Sequence, residues 1–342
     1  MYLRNAWYVA ATDAEITRDL KQIVVLNEKI VMYRTEAGDP VALDDACPHR
    51  RMPLSQGRIK GDTLECGYHG LTFDCAGSCI RVPGQDNIPT RANIHAYPVF
   101  SRYGLVWIWM GDPARADPDT IFEVLHYDDP NWGINRGEAM GFPCNYLYIT
   151  DNLLDPSHVA WVHQSSFGNA ACEEEPLVVS SDDSGVLVSR WMYDVEVAPF
   201  YQKLVPFEGN CDRKQHYEVR YPCLAYIKAV FCPAGTGGDE ENLPDGQFFQ
   251  MDSYNFMTPV DETTTRYYWF QIRNTCPDDA EISAYMSRSV EAAFNEDRDV
   301  LIHVQKGMSA RPEGTIDIAI DAGPLLFRRR LQKLIDAESS GA

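Results

Sequence analysis

The chain has 342 residues, 45% of them hydrophobic and 23% charged, and a net charge of −20. That length admits two domains, each with its own core. The charge repels nucleic acid and anionic membrane, and it suits solvation or the approach of a basic redox partner.

The opening stretch, MYLRNAWYVAATDAEI, lacks the features of a secretory signal, and no apolar run of about 18 residues follows. A cytoplasmic protein without a membrane span is expected. Cysteines there stay reduced. Cys75, Cys79, Cys144, Cys172, Cys211, Cys223, Cys232 and Cys276 therefore read as small core residues or free thiols, with a Cys75–Cys79 bridge reserved for an oxidising compartment.

WYVA and then QIVVLNEKIVMYR read as strands, the second as a hairpin turning at Asn27-Glu28. VALDDAC is a strand leading into Cys47. TLECGYHGLTFDCAGSCIRVPG adds short strands punctuated by Gly and Pro. AYPVFSRYGLVWIWMGDP closes an all-β unit, with Trp107 and Trp109 on one strand face as core.

Within this unit lie two clips, Cys47-Pro48-His49 and Cys66-Gly67-Tyr68-His69. Two Cys and two His can hold a structural zinc, but zinc fingers pair Cys with Cys and His with His. Here they interleave. A thiolate pair on one iron and an imidazole pair on the other is the ligand set of a Rieske [2Fe–2S] centre. Small residues in both clips let backbone N–H groups approach the cluster sulfides.

Residues 111–140 are rich in Pro, Gly and Asp and read as a crossover linker, with a domain boundary near residue 120. NYLYITDNLLDPSHVAWVHQSSFG, residues 145–168, begins with helical periodicity: Tyr146, Ile149, Leu153 and Leu154 share a face. Asp155 and His158 are spaced to share a helix face. His163 reaches the same metal as His158 only if the helix bends or ends, which Pro156 and the Gln164-Ser165-Ser166 break allow. Two His and one carboxylate make the facial triad of non-haem Fe(II) oxygenases.

Residues 175–275 run as strands, LVVSS, GVLVSRWMYDVEV, QHYEVRYPCLAYIKAVFC, QFFQMDSYNFMTPV and TTTRYYWFQIRN, an antiparallel sheet for helices to cover. Such a half-covered sheet makes an apolar cavity. Tyr201, His216, Tyr217, Arg220, Tyr226, Lys228, Phe231 and Trp269 are its candidate lining. PAGTGGDEENLPDG at 233–246 reads as a mobile acidic loop. A helix over 281–306 offers Glu296, Asp297 and Asp299 as a third ligand, and PLLFRRRLQKLIDAESS reads as an outer helix.

C-x-H-x16-C-x2-H, together with RNAWYVA, CPHRRMPLSQG, CGYHGLTFD and YGLVWIWMGDPA, resembles the Rieske non-haem iron oxygenases. The branch is that of vanillate O-demethylase, dicamba monooxygenase and toluenesulfonate methyl-monooxygenase. The resemblance implies an all-β Rieske domain over 1–120 and an α+β catalytic domain of helix-grip type over 121–342. It implies that Cys47, His49, Cys66 and His69 hold the cluster. His158 and His163 fit its D-x2-H-x4-H pattern, and Asp297, after FNE, matches the carboxylate ligand, leaving Glu296 and Asp299 on other faces. It gives Asp155 a bridging role: a hydrogen bond to a metal-bound His, and contact with a Rieske His of a neighbouring subunit in a homotrimer. Asn152, a turn before Asp155, falls near the iron as a pocket residue. The cosubstrate would be O₂. Electrons would come from NAD(P)H through a separate flavin/iron–sulfur reductase or ferredoxin, since no G-x-G-x-x-G follows a strand. The implied reaction is hydroxylation of a methyl or methoxy carbon of a small aromatic acid. Alternatives are aryl-methyl hydroxylation, N-demethylation, a fused-ring substrate, or an electron carrier using the Rieske domain alone. The His158, His163 and Asp297 set argues against the carrier.

Overall fold

The computed structural model describes residues 2–243 and 246–341. They form two compact units. One holds the chain through Glu123 with Thr258–Asp261 and the stretch from Ala337; the other holds Val124–Met257 and Glu262–Asp336.

The first unit is all-β. Its strands are β1 (Trp7–Thr12), β2 (Lys21–Val25), β3 (Glu28–Arg34), β4 (Pro40–Asp44), β5 (Arg58–Lys60), β6 (Thr63–Glu65), β7 (Thr72–Phe73), β8 (Cys79–Arg81), β9 (Val99–Arg102) and β10 (Leu105–Trp109). They make antiparallel sheets in the orders β1-β10-β9, β2-β3-β4 and β5-β6-β7-β8. Val25 pairs with Glu28, so the hairpin turns on Leu26-Asn27, one residue earlier than expected. Both turn residues have positive φ, 52° and 69°. That is the primed turn that matches strand twist, and Asn tolerates it well. Every residue of β10 is buried, and Trp109 meets Trp7 edge-on at 5.5 Å. Val31, Tyr33, Leu43, Leu54, Leu64 and Phe73 form a core that also takes in Cys47 and Cys66.

The second unit begins where a plain linker was expected. It contains two strands, β11 (Gly133–Arg136) and β12 (Met140–Phe142), both paired with the last strand of the sheet. Then come α1 (Tyr146–Leu153), α2 (Val159–Val162), α3 (Ala171–Glu174), β13 (Val178–Ser181), β14 (Gly185–Val195), β15 (Cys211–Arg220), β16 (Leu224–Pro233), β17 (Phe249–Asp261), β18 (Thr264–Arg273), α4 (Ala280–Ala310) and α5 (Ala322–Ser340). The run QHYEVRYPCLAYIKAVFC is two strands: it breaks after Arg220 and resumes at Leu224, and β15 starts earlier, at Cys211. The eight-stranded antiparallel sheet has the order β11-β18-β17-β16-β15-β14-β13, with β12 also on β18. The fold is thus an all-β unit followed by an α+β unit with a large antiparallel sheet and long helices.

α1 is capped by Asn145, whose Oδ1 accepts the Leu147 N–H at 2.9 Å, and it buries Tyr146, Ile149 and Leu153. α4 is capped by Asp279 and buries Met286, Val290, Ala293, Phe294, Asp297 and Leu301. This is one stripe at helical spacing, with a carboxylate set among apolar neighbours. α5 buries Phe327, Leu331 and Ile335, while Arg328 pairs with Asp151 at 2.5 Å. All ten cysteines are free thiols, so Cys75 and Cys79 are not bridged. In the 233–246 loop, Glu240 is tied to Lys214 and Lys228 by ion pairs, whereas Pro244 and Asp245 lie outside the described residues. Among the described residues no helix is long and apolar enough to cross a membrane.

Candidate active site

The two clips fold alike. In the first, the Cys47 N–H donates to Met52 C=O at 2.9 Å and the Arg51 N–H to Cys47 C=O at 2.8 Å. In the second, the Cys66 N–H donates to Leu71 C=O at 2.8 Å and the Gly70 N–H to Cys66 C=O at 3.1 Å. The fourth residue after each Cys is left-handed: Arg51 at φ 56° and Gly70 at φ 73°. The second clip packs closely on the segment that follows the first, since a Cβ on Gly67 would lie 2.8 Å from Gln56 C=O. Both thiols are 1% exposed, while both imidazoles are exposed, with ring centroids 4.6 Å apart. Burial chiefly, with Cys66 alongside, pushes the Cys47 thiol up to about 11. Two adjacent buried sulfurs with two exposed imidazoles beside them fit an iron–sulfur cluster with sulfur inside and nitrogen outside. Beside Cys66, the Glu65 carboxylate is ringed by Arg58 and Lys60, each at 2.5 Å, and by Arg81 at 3.7 Å. This flank is locally cationic despite the net charge of −20.

In the second unit the chain leaves α1 at Leu154, turns through Asp155-Pro156-Ser157, and makes the single turn α2. His158 stands at its start and His163 at its end. Asp155 and His158 therefore lie on a turn rather than on one helix, because Pro156 ends the helical run. Gly168 closes behind: its N–H donates to His163 C=O at 3.0 Å, and a Cβ there would meet Val159 C=O at 2.5 Å. His163 Nε2 is 3.2 Å and His158 Nε2 3.6 Å from Asp297 Oδ1. One donor atom from each residue lies within 4.8 Å of the others.

The remaining ring nitrogens are tied back. His163 Nδ1 meets Glu296 Oε2 at 2.7 Å, and His158 Nδ1 meets the main-chain carbonyl of Asp155. Both Nε2 atoms are thus aimed at one point beside a buried carboxylate, an arrangement that fits a divalent iron. Burial works to raise the Asp297 carboxyl, but His163, His158 and the Asn152 N–H together hold it below its ordinary value. Burial likewise opposes charging of His163, and Asp297 and Glu296 outweigh it, raising its pKa.

Asn152 Nδ2 donates to Asp297 Oδ1 at 3.2 Å, which sets it beside that carboxylate. The Asp155 carboxylate accepts the Ser157 N–H at 2.8 Å, and its carbonyl, not its carboxylate, contacts His158 within the chain. Asp299 is exposed. Glu296, expected to point away, instead supports His163.

A cavity opens on this set. It is lined by His158, His163 and Asp297 with Phe167, Tyr201, Tyr217, Met251, Val290 and Phe294, and by the polar Ser253, Asn255 and Gln271. Of the eight candidate lining residues, Tyr201 and Tyr217 take part. Phe231 stacks behind Tyr201 at 4.2 Å, and Trp269 packs on Phe294 at 5.3 Å. His216 and Lys228 pair across β15 and β16 on the opposite sheet face, as do Glu218 and Tyr226; the Arg220 side chain pairs with Glu218. Ser253 and Asn255 lie two apart on β17 and so share a face, a pattern visible in sequence, but nothing there says that this face meets the helices. A second, more open cavity lies against His158 and is lined by Asn152, Asp155, Leu301 and Ile316.

The fold and the two donor sets define a monooxygenase of the Rieske non-haem iron class, in which one centre takes in electrons and the other meets oxygen and substrate. Residues 6–97 match the family model of the Rieske [2Fe-2S] domain, and residues 142–337 match the vanillate O-demethylase oxygenase C-terminal domain. The chain is 39% identical to the toluene-4-sulfonate monooxygenase system iron-sulfur subunit of Comamonas testosteroni, over 100% of this chain and 99% of that one. It is 34% identical to the vanillate O-demethylase oxygenase subunit of Pseudomonas sp. strain HR199, over 100% and 97%. The crystal structure of dicamba monooxygenase with non-heme iron and dicamba superposes with a TM-score of 0.83 at 26% identity, over 100% of this chain and 99% of that one. The chain belongs to the vanillate demethylase, dicamba monooxygenase and toluenesulfonate monooxygenase branch of the Rieske non-haem iron oxygenases.

Proposed function

We propose that this terminal oxygenase hydroxylates a methyl or methoxy carbon of a small aromatic acid, with loss of formaldehyde when the carbon is an O-methyl. The observation that carries this reading is the aromatic-lined cavity opening directly on His158, His163 and Asp297. Cys47, His49, Cys66 and His69 would hold the cluster, in a Rieske domain of residues 1–120. His158, His163 and Asp297 would hold the iron, in a catalytic domain of residues 121–342. The cluster supplies electrons, drawn from NAD(P)H by a separate reductase or ferredoxin, and the iron supplies activation of O₂.

The protein's own work is positional. Phe167, Tyr201 and Phe294 wall the cavity, hold an aromatic ring and exclude water. Asn152 and Glu296 fix Asp297 and His163, so the donor atoms are set before anything binds. We further read Asp155, on the open side of His158, as the residue that would meet a second copy of the chain in a homotrimer and bridge the two centres.

Hydroxylation of an aryl methyl group is the second reading. The greater identity to the toluene-4-sulfonate subunit favours it. The test is incubation of the protein with a reductase, NAD(P)H and a panel of methoxy- and methyl-substituted benzoates and benzenesulfonates. Formaldehyde from methoxy compounds supports the first reading, and hydroxymethyl products alone support the second. Oxygen consumption without either product on every member of the panel defeats both.

A further inference from the structure

Arg213, on β15, is 1% exposed, yet among the described residues no carboxylate lies within ion-pair distance of it. Its Nη1 donates to Cys172 Sγ at 3.6 Å, a weak acceptor, and its Nε has no hydrogen-bond partner. The guanidinium lies 5.3 Å from the Tyr201 ring centroid and 5.1 Å from that of Phe231. Its neighbour Arg190 is different. That side chain is also buried, but it donates to Gln215 Oε1 and to the carbonyls of Pro156, Cys172 and Glu175. The fold can therefore satisfy a buried guanidinium, and it leaves Arg213 short. A buried cation held by a thiol and two aromatic faces, with no carboxylate beside it, leaves much of its charge unanswered, and an anion brought near it gains from that.

The register shows where that partner would sit. Arg213 and Tyr217 alternate onto one face of β15, opposite Phe231 and Ile227 of β16. Tyr217, Ile227 and Tyr201 line the cavity that holds His158, His163 and Asp297. The guanidinium thus backs the tyrosine wall of that cavity. Among the lining residues there is no Lys or Arg, and the carboxylate is Asp297. Apart from the iron that the triad would hold, an anion in this cavity meets no Lys or Arg in its lining, and Arg213 stands behind the tyrosine wall.

We propose that Arg213 is the counter-charge for the carboxylate or sulfonate of an aromatic substrate, bound against Tyr201 and Tyr217. The inference rests on reading the cavity as the oxygenase's substrate pocket, and it names the charge class that the pocket selects. The neutral Ser253, Asn255 and Gln271 are the rival anchor.

The experiment measures binding of 4-toluenesulfonate, 4-methylbenzoate and neutral 4-methylbenzamide to the purified holoprotein by titration calorimetry. Wild type should prefer both anions over the amide by about tenfold or more. Arg213→Met should weaken the anions roughly 30-fold and leave the amide unchanged. Arg213→Lys should keep part of the preference, and Cys172→Ala all of it. A wild type without preference overturns the proposal. So does an Arg213→Met variant that binds the anions normally, or one that weakens all three probes alike, which marks a structural residue. Should that variant fail to fold, wild-type crystals soaked with 4-bromobenzenesulfonate decide. A sulfonate beside Tyr201 and Arg213 supports the assignment, and one held by Ser253, Asn255 and Gln271 overturns it. Failure of the oxygenase reading would look different: missing iron or cluster signals with the anion preference intact.

Discussion

Glu296→Ala removes the carboxylate that meets His163 Nδ1 at 2.7 Å. Such a bond fixes the imidazole tautomer and directs the other nitrogen at the metal, and losing it changes metal affinity by roughly 10–100-fold. The Glu296 side chain is 42% exposed, so water screens part of its charge. The lower end of that range applies: about tenfold, or ~1.4 kcal/mol. Glu296→Gln keeps an acceptor without the charge and should lose about threefold. The assay strips the mononuclear iron anaerobically with a chelator, then titrates Co(II) and Fe(II) in competition with a dye. The visible spectrum of the cluster in the same sample reports whether the other centre is undisturbed. Affinities falling in the order wild type, Gln, Ala support the reasoning. An Ala variant that binds both metals as tightly as wild type refutes it.

Asp155→Asn should leave about three irons per chain and an unchanged cluster spectrum while cutting oxygen use coupled to product by about two orders of magnitude; iron analysis with an oxygen electrode and product assay checks both halves. Burial pushes Asp252 up to about 6, and its Oδ2 has no hydrogen-bond partner. A raised carboxyl is costly once ionised, so its effect grows as pH climbs from near 4 through 6. Asp252→Asn should accordingly add roughly 3 kcal/mol at pH 8 and nothing below pH 4, read by calorimetric melting. Phe73 is fully buried in the core behind the two clips. Phe73→Ala should cost about 3–5 kcal/mol, and the cluster's visible band should bleach at a correspondingly lower temperature.

The parts of this molecule legible in the sequence are those whose chemistry is local. The Cys47-to-His69 pattern points to its centre because all four candidate ligands sit on two short loops joined by a fixed spacing. The β-sheet was readable from alternation, but β11 and β12 were hidden by the Gly and Pro residues around them. The turn at Leu26-Asn27 was misplaced because the sign of φ, not residue polarity, sets it. Glu296 reads as turned away from the metal because adjacent helix positions diverge by about 100°. Only the path of the 158–163 turn brings His163 between Glu296 and Asp297. Arg213 escaped for another reason. Asp212, Arg213 and Lys214 are consecutive charges, so polarity alone cannot show which face is covered.

His158 and His163 flank one helical turn, and only Asp297 of the three comes from a long helix. Opening that short turn would loosen Val159 from Cys172, Met192 and Tyr217 but would spare the hydrogen-bonded ladder of the eight-stranded sheet. Release of the metal should thus be a local event, far cheaper than denaturation. Protein purified short of its catalytic iron should regain it on simple addition of ferrous salt under argon, with no refolding cycle.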